Sequence, residues 1–287
     1  MNQPIALSLP ETPLLFVVAT PLGNLRDLSP RARDTLAAVD AIAAEDTRHS
    51  QRLLDAYGIR AKRLLSLHQH NEQEAAGKII EMLGNGQHVA LITDAGTPAI
   101  SDPGARLVAR VREAGYAVSP IPGACAAVAA LSVAGIVEGG FRFIGFLPAK
   151  ALARHSALMA LAGERDAMVF YEAPHRVAEC VADMVAAFGC GREILIAREL
   201  TKLHEEIAAM PLSEAGAWFA GNDNRKRGEF VLVVRGADAP DGAEAEALRV
   251  LGLLLDNLQL RSAVRLAAKI TGMPRKGLYA QALKQRR

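Results

Sequence analysis

Three turns rich in proline and glycine carry the residues best suited to hold a small polar molecule. The first is Thr20-Pro21-Leu22-Gly23-Asn24, which leaves the apolar run Leu14–Ala19. The second runs from Thr93 to Gly104 and packs two prolines, two glycines, three hydroxyls and two carboxylates into twelve residues. The third is Pro120-Ile121-Pro122-Gly123-Ala124-Cys125-Ala126-Ala127. Open α/β sheets take their ligands beyond the carboxyl ends of the strands. A loop stiffened by proline there can offer main-chain hydrogen bonds at little entropic cost. Pro21 and Gly23 in the first turn, and Asp94, Gly96, Thr97, Pro98, Ile100 and Ser101 in the second, are therefore candidate ligand contacts. Taken singly, the first turn also suits an ordinary strand-to-helix connection, and the small residues of the third also suit close helix–sheet packing.

Other chemistry is less well served. Neither a G-x-x-x-x-G-K-[ST] loop nor a G-x-G-x-x-G turn after the first strand is present. His68-x-His70 has the spacing of a metal pair but no third ligand nearby, so no metal is expected. The three cysteines, Cys125, Cys180 and Cys190, are never spaced Cys-x-x-Cys, which argues against a disulfide framework and suits a reducing cytoplasm. The amino-terminal MNQPIALSLPETP lacks the basic start of a signal peptide, and no apolar run reaches the ~18 residues of a membrane span.

A hydrophobic content of 51% against 22% charged residues excludes general disorder. The net charge of +2 hides an asymmetry: residues 261–287 hold eight Lys/Arg and no acid, leaving 25 basic against 31 acidic side chains in the other 260 residues. A basic tail on a mildly acidic body suits a polyanion partner, or simply a solvated helical face.

The elements that must position these turns alternate. Strands are expected at Leu14–Ala19, Ala41–Ala44, Leu64–Leu67, His88–Ile92 and Tyr116–Ile121. Helices intervene: Ser29-Pro30 starts one with a cap and a first-turn proline, Glu72–Leu83 forms another, and Asp102-Pro103 is read as capping a third that ends at Gly115. A second series follows, with strands at Phe141–Phe146, Met168–Tyr171, Ile194–Ala197 and Phe230–Val234, and helices at Ala124–Ala134, Val177–Phe188 and Ser213–Ala220. After a linker from Gly236, three short helices are expected at Ala247–Leu258, Arg261–Thr271 and Arg275–Leu283. The fold class is α/β: two α/β domains, 12–122 and 123–236, plus a small basic helical module, 243–287.

In their order and spacing, ATPLGNLRDLSPRA, AEDTRHSQRLL, LITDAGTPAISDPG and PIPGACAAVAAL resemble the tetrapyrrole methylase superfamily. Within it the chain is similar to the ribosomal RNA small-subunit methyltransferase I family, and the likeness continues through Phe170–Arg176, Arg198–Glu205 and Gly228–Phe230. The resemblance implies S-adenosylmethionine (SAM) in a cleft between the two α/β domains, a homodimer, and methylation of a cytidine ribose 2′-oxygen in 16S rRNA of the 30S subunit. It places Pro122, Gly123, Cys125 and Ala126 against the cofactor, with Tyr171, Glu172 and Thr201 on the other wall. The superfamily's Gly-Asp-Pro turn becomes Gly96-Thr97-Pro98, so the role of its aspartate is vacated or passes to Asp94.

A ribose hydroxyl is a poor nucleophile that a base or a cation would help. Glu45-Asp46-Thr47-Arg48 and Arg198-Glu199 each follow an expected strand. Glu45 or Glu199 could take the proton, and Arg48 or Arg198 could hold a phosphate or orient the acid. Spacing does not choose among them, and adjacent Arg–Glu pairs more often serve as ion pairs. The C-terminal module reads as helix, Gly272 turn, helix, like a helix-turn-helix, with Lys269, Arg275, Lys276 and Lys284 as RNA contacts; a helical cap on the dimer is the plainer alternative. Two rival functions stand beside methylation of rRNA. One is a small-molecule tetrapyrrole methylase, which needs no basic tail; the other is a non-catalytic RNA-binding assembly factor, which needs no SAM.

Overall fold

A computed structural model describes residues 9–68, 71–136, 139–238 and 242–285. The chain divides into two compact units, residues 1–235 and 236–287.

The first unit holds two five-stranded sheets. In the first, strands β1 (Leu14–Val18), β2 (Ala41–Ala44), β3 (Leu64–Ser66), β4 (Val89–Ile92) and β5 (Ala117–Ile121) lie in the order β3-β2-β4-β1-β5. All are parallel. Helices α1 (Pro30–Ala38), α2 (Thr47–Ala56), α3 (Glu72–Gly84) and α4 (Ala105–Glu113) connect them. Alternation along β1 divides the core: Leu14, Phe16 and Val18 pack with Leu36 and Leu54 of α1 and α2, while Leu15 faces Ile79, Leu83 and Leu107 of α3 and α4.

Helix α5 (Ala126–Ser132) leads into the second sheet. Its strands are β6 (Phe141–Phe146), β7 (Ala167–Glu172), β8 (Glu193–Arg198), β9 (Glu206–Pro211) and β10 (Phe230–Val234), in the order β6-β7-β10-β8-β9. Only β6 and β7 pair parallel; the other pairs are antiparallel. Helices α6 (Ala151–Ala160), α7 (Val177–Phe188) and α8 (Leu212–Ala220) cover one face, where Leu158, Val181 and Phe219 meet Phe170 and Leu232. On the other face Ala127 and Ala130 of α5 pack on Val169, Ala197 and Val231.

Ser29 caps α1 as expected, its hydroxyl accepting from the Ala32 N–H at 3.1 Å. The cap expected of Asp102 is corrected. Helix α4 starts at Ala105 behind Gly104 and has no side-chain cap of its own. Glu72, nearly buried on α3, supplies it: Oε1 accepts the N–H groups of Gly104, Arg106 and Leu107 at 3.0, 3.0 and 3.2 Å. That frees the Asp102 carboxylate for another use.

The second unit is three helices, α9 (Gly242–Leu255), α10 (Leu260–Thr271) and α11 (Arg275–Gln285). Ala247, Leu251, Val264, Ala267, Leu278 and Ala282 form its core. Gly272, in the left-handed region at φ 74°, ends α10 with its N–H on the Ala268 carbonyl. No helix among the described residues is long and apolar enough to cross a membrane.

Candidate active site

Within the first unit, one end of both sheets borders a cavity of about 410 Å³. The first sheet contributes Leu22 after β1, Glu45 after β2, and Thr93 to Thr97, Ile100 and Asp102 after β4. The second contributes Tyr171 and Glu172 from β7, Ala197 from β8, and Phe230 and Val231 from the antiparallel β10. Cys125 and Ala126 enter from the start of α5, and Phe146, Ala173, Pro174, Leu200 and Glu229 complete the lining.

The polar part of this cavity centres on Thr93, whose side chain is almost wholly buried. Its hydroxyl lies 2.7 Å from Glu45 Oε2 and 2.9 Å from Asp102 Oδ2. Burial is the main cause that pushes the Asp102 carboxyl up to about 6; the Thr93 hydroxyl opposes it, and the charges of Glu45 and Asp94 add to it. Asp94 Oδ1 accepts the Asp46 N–H at 3.2 Å. Three carboxylates thus gather at one wall of a cavity whose remaining surface is largely apolar.

Backbone pairings hold the turns. Thr20 and Gly96 exchange N–H···O bonds of 2.8 and 3.0 Å. The Thr97 hydroxyl donates to the Ala124 carbonyl at 3.0 Å, joining the second turn to the third. Threonine at this position therefore does a structural job that an aspartate could not, since a carboxylate cannot donate to a carbonyl. On the opposite wall the Tyr171 hydroxyl accepts the Ala127 N–H at 3.1 Å, and burial first of all pushes the phenol up to about 12.

Strain clusters here. Among the described residues the non-glycine residues at positive φ are Ala99, Ser101, Glu199 and Thr201. All lie in the loop after β4 or the loop after β8. Such conformations persist where the surroundings over-determine them, and they gather at ligand-binding sites.

Of the residues nominated from sequence, the cavity unites Glu45, Asp94, Gly96, Thr97, Ile100, Cys125, Ala126, Tyr171 and Glu172. Pro21, Gly23, Pro98, Ser101, Pro122, Gly123 and Thr201 stand in the flanking loops, outside the lining. The two glycines have packing reasons: a Cβ on Gly23 would fall 2.5 Å from Lys202 Cγ, and one on Gly123 would fall 2.9 Å from Ala19 Cβ. Gly96 lines the cavity, but its N–H and C=O are already bonded to Thr20. The Thr201 hydroxyl is buried without a hydrogen-bond partner among the described residues.

The other catalytic nominees do not line the cavity. Asp46 caps α2, its Oδ1 accepting from Arg48 and His49, and those N–H groups hold its carboxyl below the usual range. Arg48 is exposed on α2. Arg198 cannot reach a phosphate, because it is buried and donates to the Arg227 and His204 carbonyls at 2.7 and 3.1 Å. Glu199 Oε1 accepts from Lys202 Nζ at 3.0 Å and from the Glu229 N–H at 2.9 Å. Burial alone would raise its carboxyl, but these two donors hold it below its ordinary value. Sequence reasoning missed Thr93 and Asp102 as a unit, and the signal was their shared loop. His70, of the histidine pair, lies outside the described residues.

In the second unit Arg275 and Lys276 line a pocket of about 470 Å³ with Arg261, Ser262, Val264, Arg265 and Tyr279. Lys269 is exposed in the last turn of α10, outside that pocket, and the Lys284 side chain lies outside the described residues.

The family model of Tetrapyrrole (Corrin/Porphyrin) Methylases matches residues 14–216, and that of the RsmI C-terminal HTH domain matches residues 241–286. A ribosomal RNA small subunit methyltransferase I of Pseudomonas aeruginosa is 52% identical over 274 residues, 94% of this chain and 97% of that one. Its namesake in Escherichia coli O157:H7 is 48% identical over 272 residues, covering 94% and 95%. Among solved structures, the cobalamin biosynthetic enzyme cobalt precorrin-4 methyltransferase aligns with a TM-score of 0.58 at 15% identity, over 76% of this chain and 93% of that one. At that identity the likeness concerns the fold alone.

Proposed function

Because the chain belongs to the ribosomal RNA small subunit methyltransferase I family of tetrapyrrole methylases, we propose that it transfers a methyl group from SAM to the ribose 2′-hydroxyl of a cytidine in 16S rRNA of the small ribosomal subunit. The observation that carries this reading is the presence, in one chain, of an acidic and apolar cavity at the strand ends and of a C-terminal segment with eight cations and no acid. A tetrapyrrole-sized substrate gives that segment no task, and a passive RNA binder gives the cavity none.

The residues present fit SAM. The cavity volume of about 410 Å³ falls within the roughly 300–1,000 Å³ of small-molecule sites. Leu22, Ile100, Ala126 and Leu200 offer apolar contact to an adenine, while Asp94 and Asp102 can accept from ribose hydroxyls or an ammonium. When bound, the cofactor supplies an activated sulfonium methyl, so much of the catalysis can come from alignment. The chain's part is then to hold the acceptor ribose, exclude water and take one proton. Of the nominated acids, Glu45 borders the cavity, and the Thr93 hydroxyl fixes its carboxylate in place. In this reading Glu45 accepts the proton of the 2′-hydroxyl.

A cytoplasmic homodimer is part of the same reading. Val128 and Val133, at and just after α5 and each at least half exposed, give apolar surface for a second copy. The test is methyl transfer from labelled SAM to unmodified 30S subunits and to free 16S rRNA, followed by mapping of the modified nucleotide. Label on a cytidine ribose of one of the two substrates supports the reading, and absence of label on both refutes it. Light scattering at the monomer mass would remove the dimer.

A further inference from the structure

The pocket of the second unit is built in a way that stability alone disfavours. Arg261 and Arg265 stand one turn apart on the same face of α10, where like charges repel. Arg275 and Lys276 occupy the first turn of α11, which contains no acid. The first turn of α10, with Arg261, contains none either. Cations at a helix N-terminus meet the positive end of the helix dipole, an arrangement that sequences shaped for stability avoid. None of these four side chains forms an ion pair among the described residues. All four are exposed at the rim of one pocket of about 470 Å³. Converging cations of this kind suit an anion from outside the chain.

The pocket also contains an aromatic ring. Tyr279 lies one turn beyond Arg275 and Lys276, is 40% exposed, and lines the same pocket. Packing of the three-helix core is served by Leu278 and Ala282, not by this ring. An exposed aromatic side chain that shares a pocket with arginines is the equipment for stacking an unpaired base, whereas a paired helix hides its base faces. Lys269 makes a useful contrast: it sits in the last turn of α10, where the dipole favours a cation, and it is off the pocket.

We propose that this pocket binds one unpaired nucleotide of RNA, with its phosphates on Arg261, Arg265, Arg275 and Lys276 and its base stacked on Tyr279. The inference rests on the RNA-methylating reading above and deepens it by naming single-stranded RNA as the form recognised by this unit. A duplex alone would use the cations and leave the ring idle.

The test uses the full chain and two probes, a single-stranded RNA oligonucleotide and a perfectly paired RNA duplex of equal length, with binding followed by fluorescence anisotropy over a salt series. Tyr279→Leu should weaken single-strand binding ~5–100-fold with little change for the duplex, and Tyr279→Phe should restore it. Arg265→Gln with Arg275→Gln should lower the single-strand salt slope by about 0.7 for each lost contact. Circular dichroism melts check that the helices survive. If the leucine variant binds the single strand like wild type, or loses both probes equally, the stacking site is wrong. Methyl transfer by the wild-type chain is measured in parallel: wild-type transfer with unaffected Tyr279→Leu binding overturns only this pocket, whereas no wild-type transfer overturns the underlying reading.

Discussion

Thr93 Oγ1 stands 2.7 Å from Oε2 of Glu45 at the wall of the cavity. A hydroxyl has one proton to give, and Asp102 Oδ2 lies 2.9 Å from the same oxygen. One of the two carboxylates therefore meets a lone pair, unless it carries a proton of its own. Asp102 is the one raised to about 6 by burial and by its neighbours' charges. A proton on Asp102 lets its carboxyl donate to the Thr93 oxygen while the Thr93 hydroxyl donates to Glu45, which leaves the Glu45 carboxylate an acceptor held in place.

This arrangement fixes a pH dependence. Between the ordinary carboxyl range and about 6, folded Asp102 retains a proton that the unfolded chain has released. Its contribution to stability is thus whole at acid pH and lost as the pH rises through about 6. Because the group is partly open to solvent, the effect is discounted to on the order of 1 kcal/mol. Melting temperatures of wild type and Asp102→Asn from pH 5 to 8 test it. The variant should show the flatter curve and match or exceed wild type at pH 7.5. Parallel curves would mean that Asp102 is ionised throughout.

The two glutamates nominated as bases should separate in kinetics. Glu45→Gln removes a charge at the cavity and should slow single-turnover methylation ~10²–10⁴-fold with a near wild-type melting temperature. Glu199→Gln weakens the bonds to Lys202 Nζ and the Glu229 N–H. It should cost about 1–2 kcal/mol in denaturant unfolding while the folded fraction turns over normally. Unchanged single-turnover rates for Glu45→Gln would leave alignment as the whole of catalysis.

The sequence displayed some of this plainly and hid the rest. Ser29-Pro30 is a local signal, since a cap and its helix are adjacent, and the structure keeps it. Asp102-Pro103 carries the same local signal, yet the cap comes from Glu72, a residue on another helix that only the tertiary fold brings near. The cavity-facing turns were legible because proline and glycine mark them. Strand β9 was not, because EIAAMP lacks a β-branched pattern and forms at the sheet edge by pairing with β8. Helix α2 was missed because its apolar residues are few, although Asp46 was present as a cap. Arg198 and Glu199 follow a strand as a catalytic pair would, and only burial and partners reveal their structural employment.

Ala126→Leu tests the cofactor wall. Ala126 is half-buried on the lining, and three added carbons beyond its Cβ would occupy the space an adenine needs. Calorimetry should find SAM affinity lowered at least about tenfold, the worth of ~1.4 kcal/mol, with the fold intact. Gly96→Val is the poorer probe: φ is +83° and a Cβ would fall 3.2 Å from Leu22 Cδ2, so it should also lose stability. Wild-type affinity in Ala126→Leu would remove this residue from the site.

The cap on α4 gives the last prediction. Glu72 Oε1 serves the N–H groups of Gly104, Arg106 and Leu107, and Gly104 and Leu107 are buried. Glu72→Ala leaves these donors without an acceptor in a place water reaches poorly. It should therefore cost about 2–3 kcal/mol in urea unfolding, more than an exposed cap would. Glu72→Gln retains an acceptor oxygen but no charge to oppose the helix dipole, so it should cost about 1 kcal/mol. The loop from Thr93 to Gly104 ends at this cap, and its strained Ala99 and Ser101 depend on both ends being fixed. Loss of the cap should loosen the loop and weaken SAM binding, even where Glu72→Ala remains folded at low temperature. If Glu72→Ala unfolds at the wild-type urea midpoint while Asp102→Ala collapses, then the aspartate of the Asp-Pro pair is the working cap, and the sequence signal was right where the structure disagrees with it.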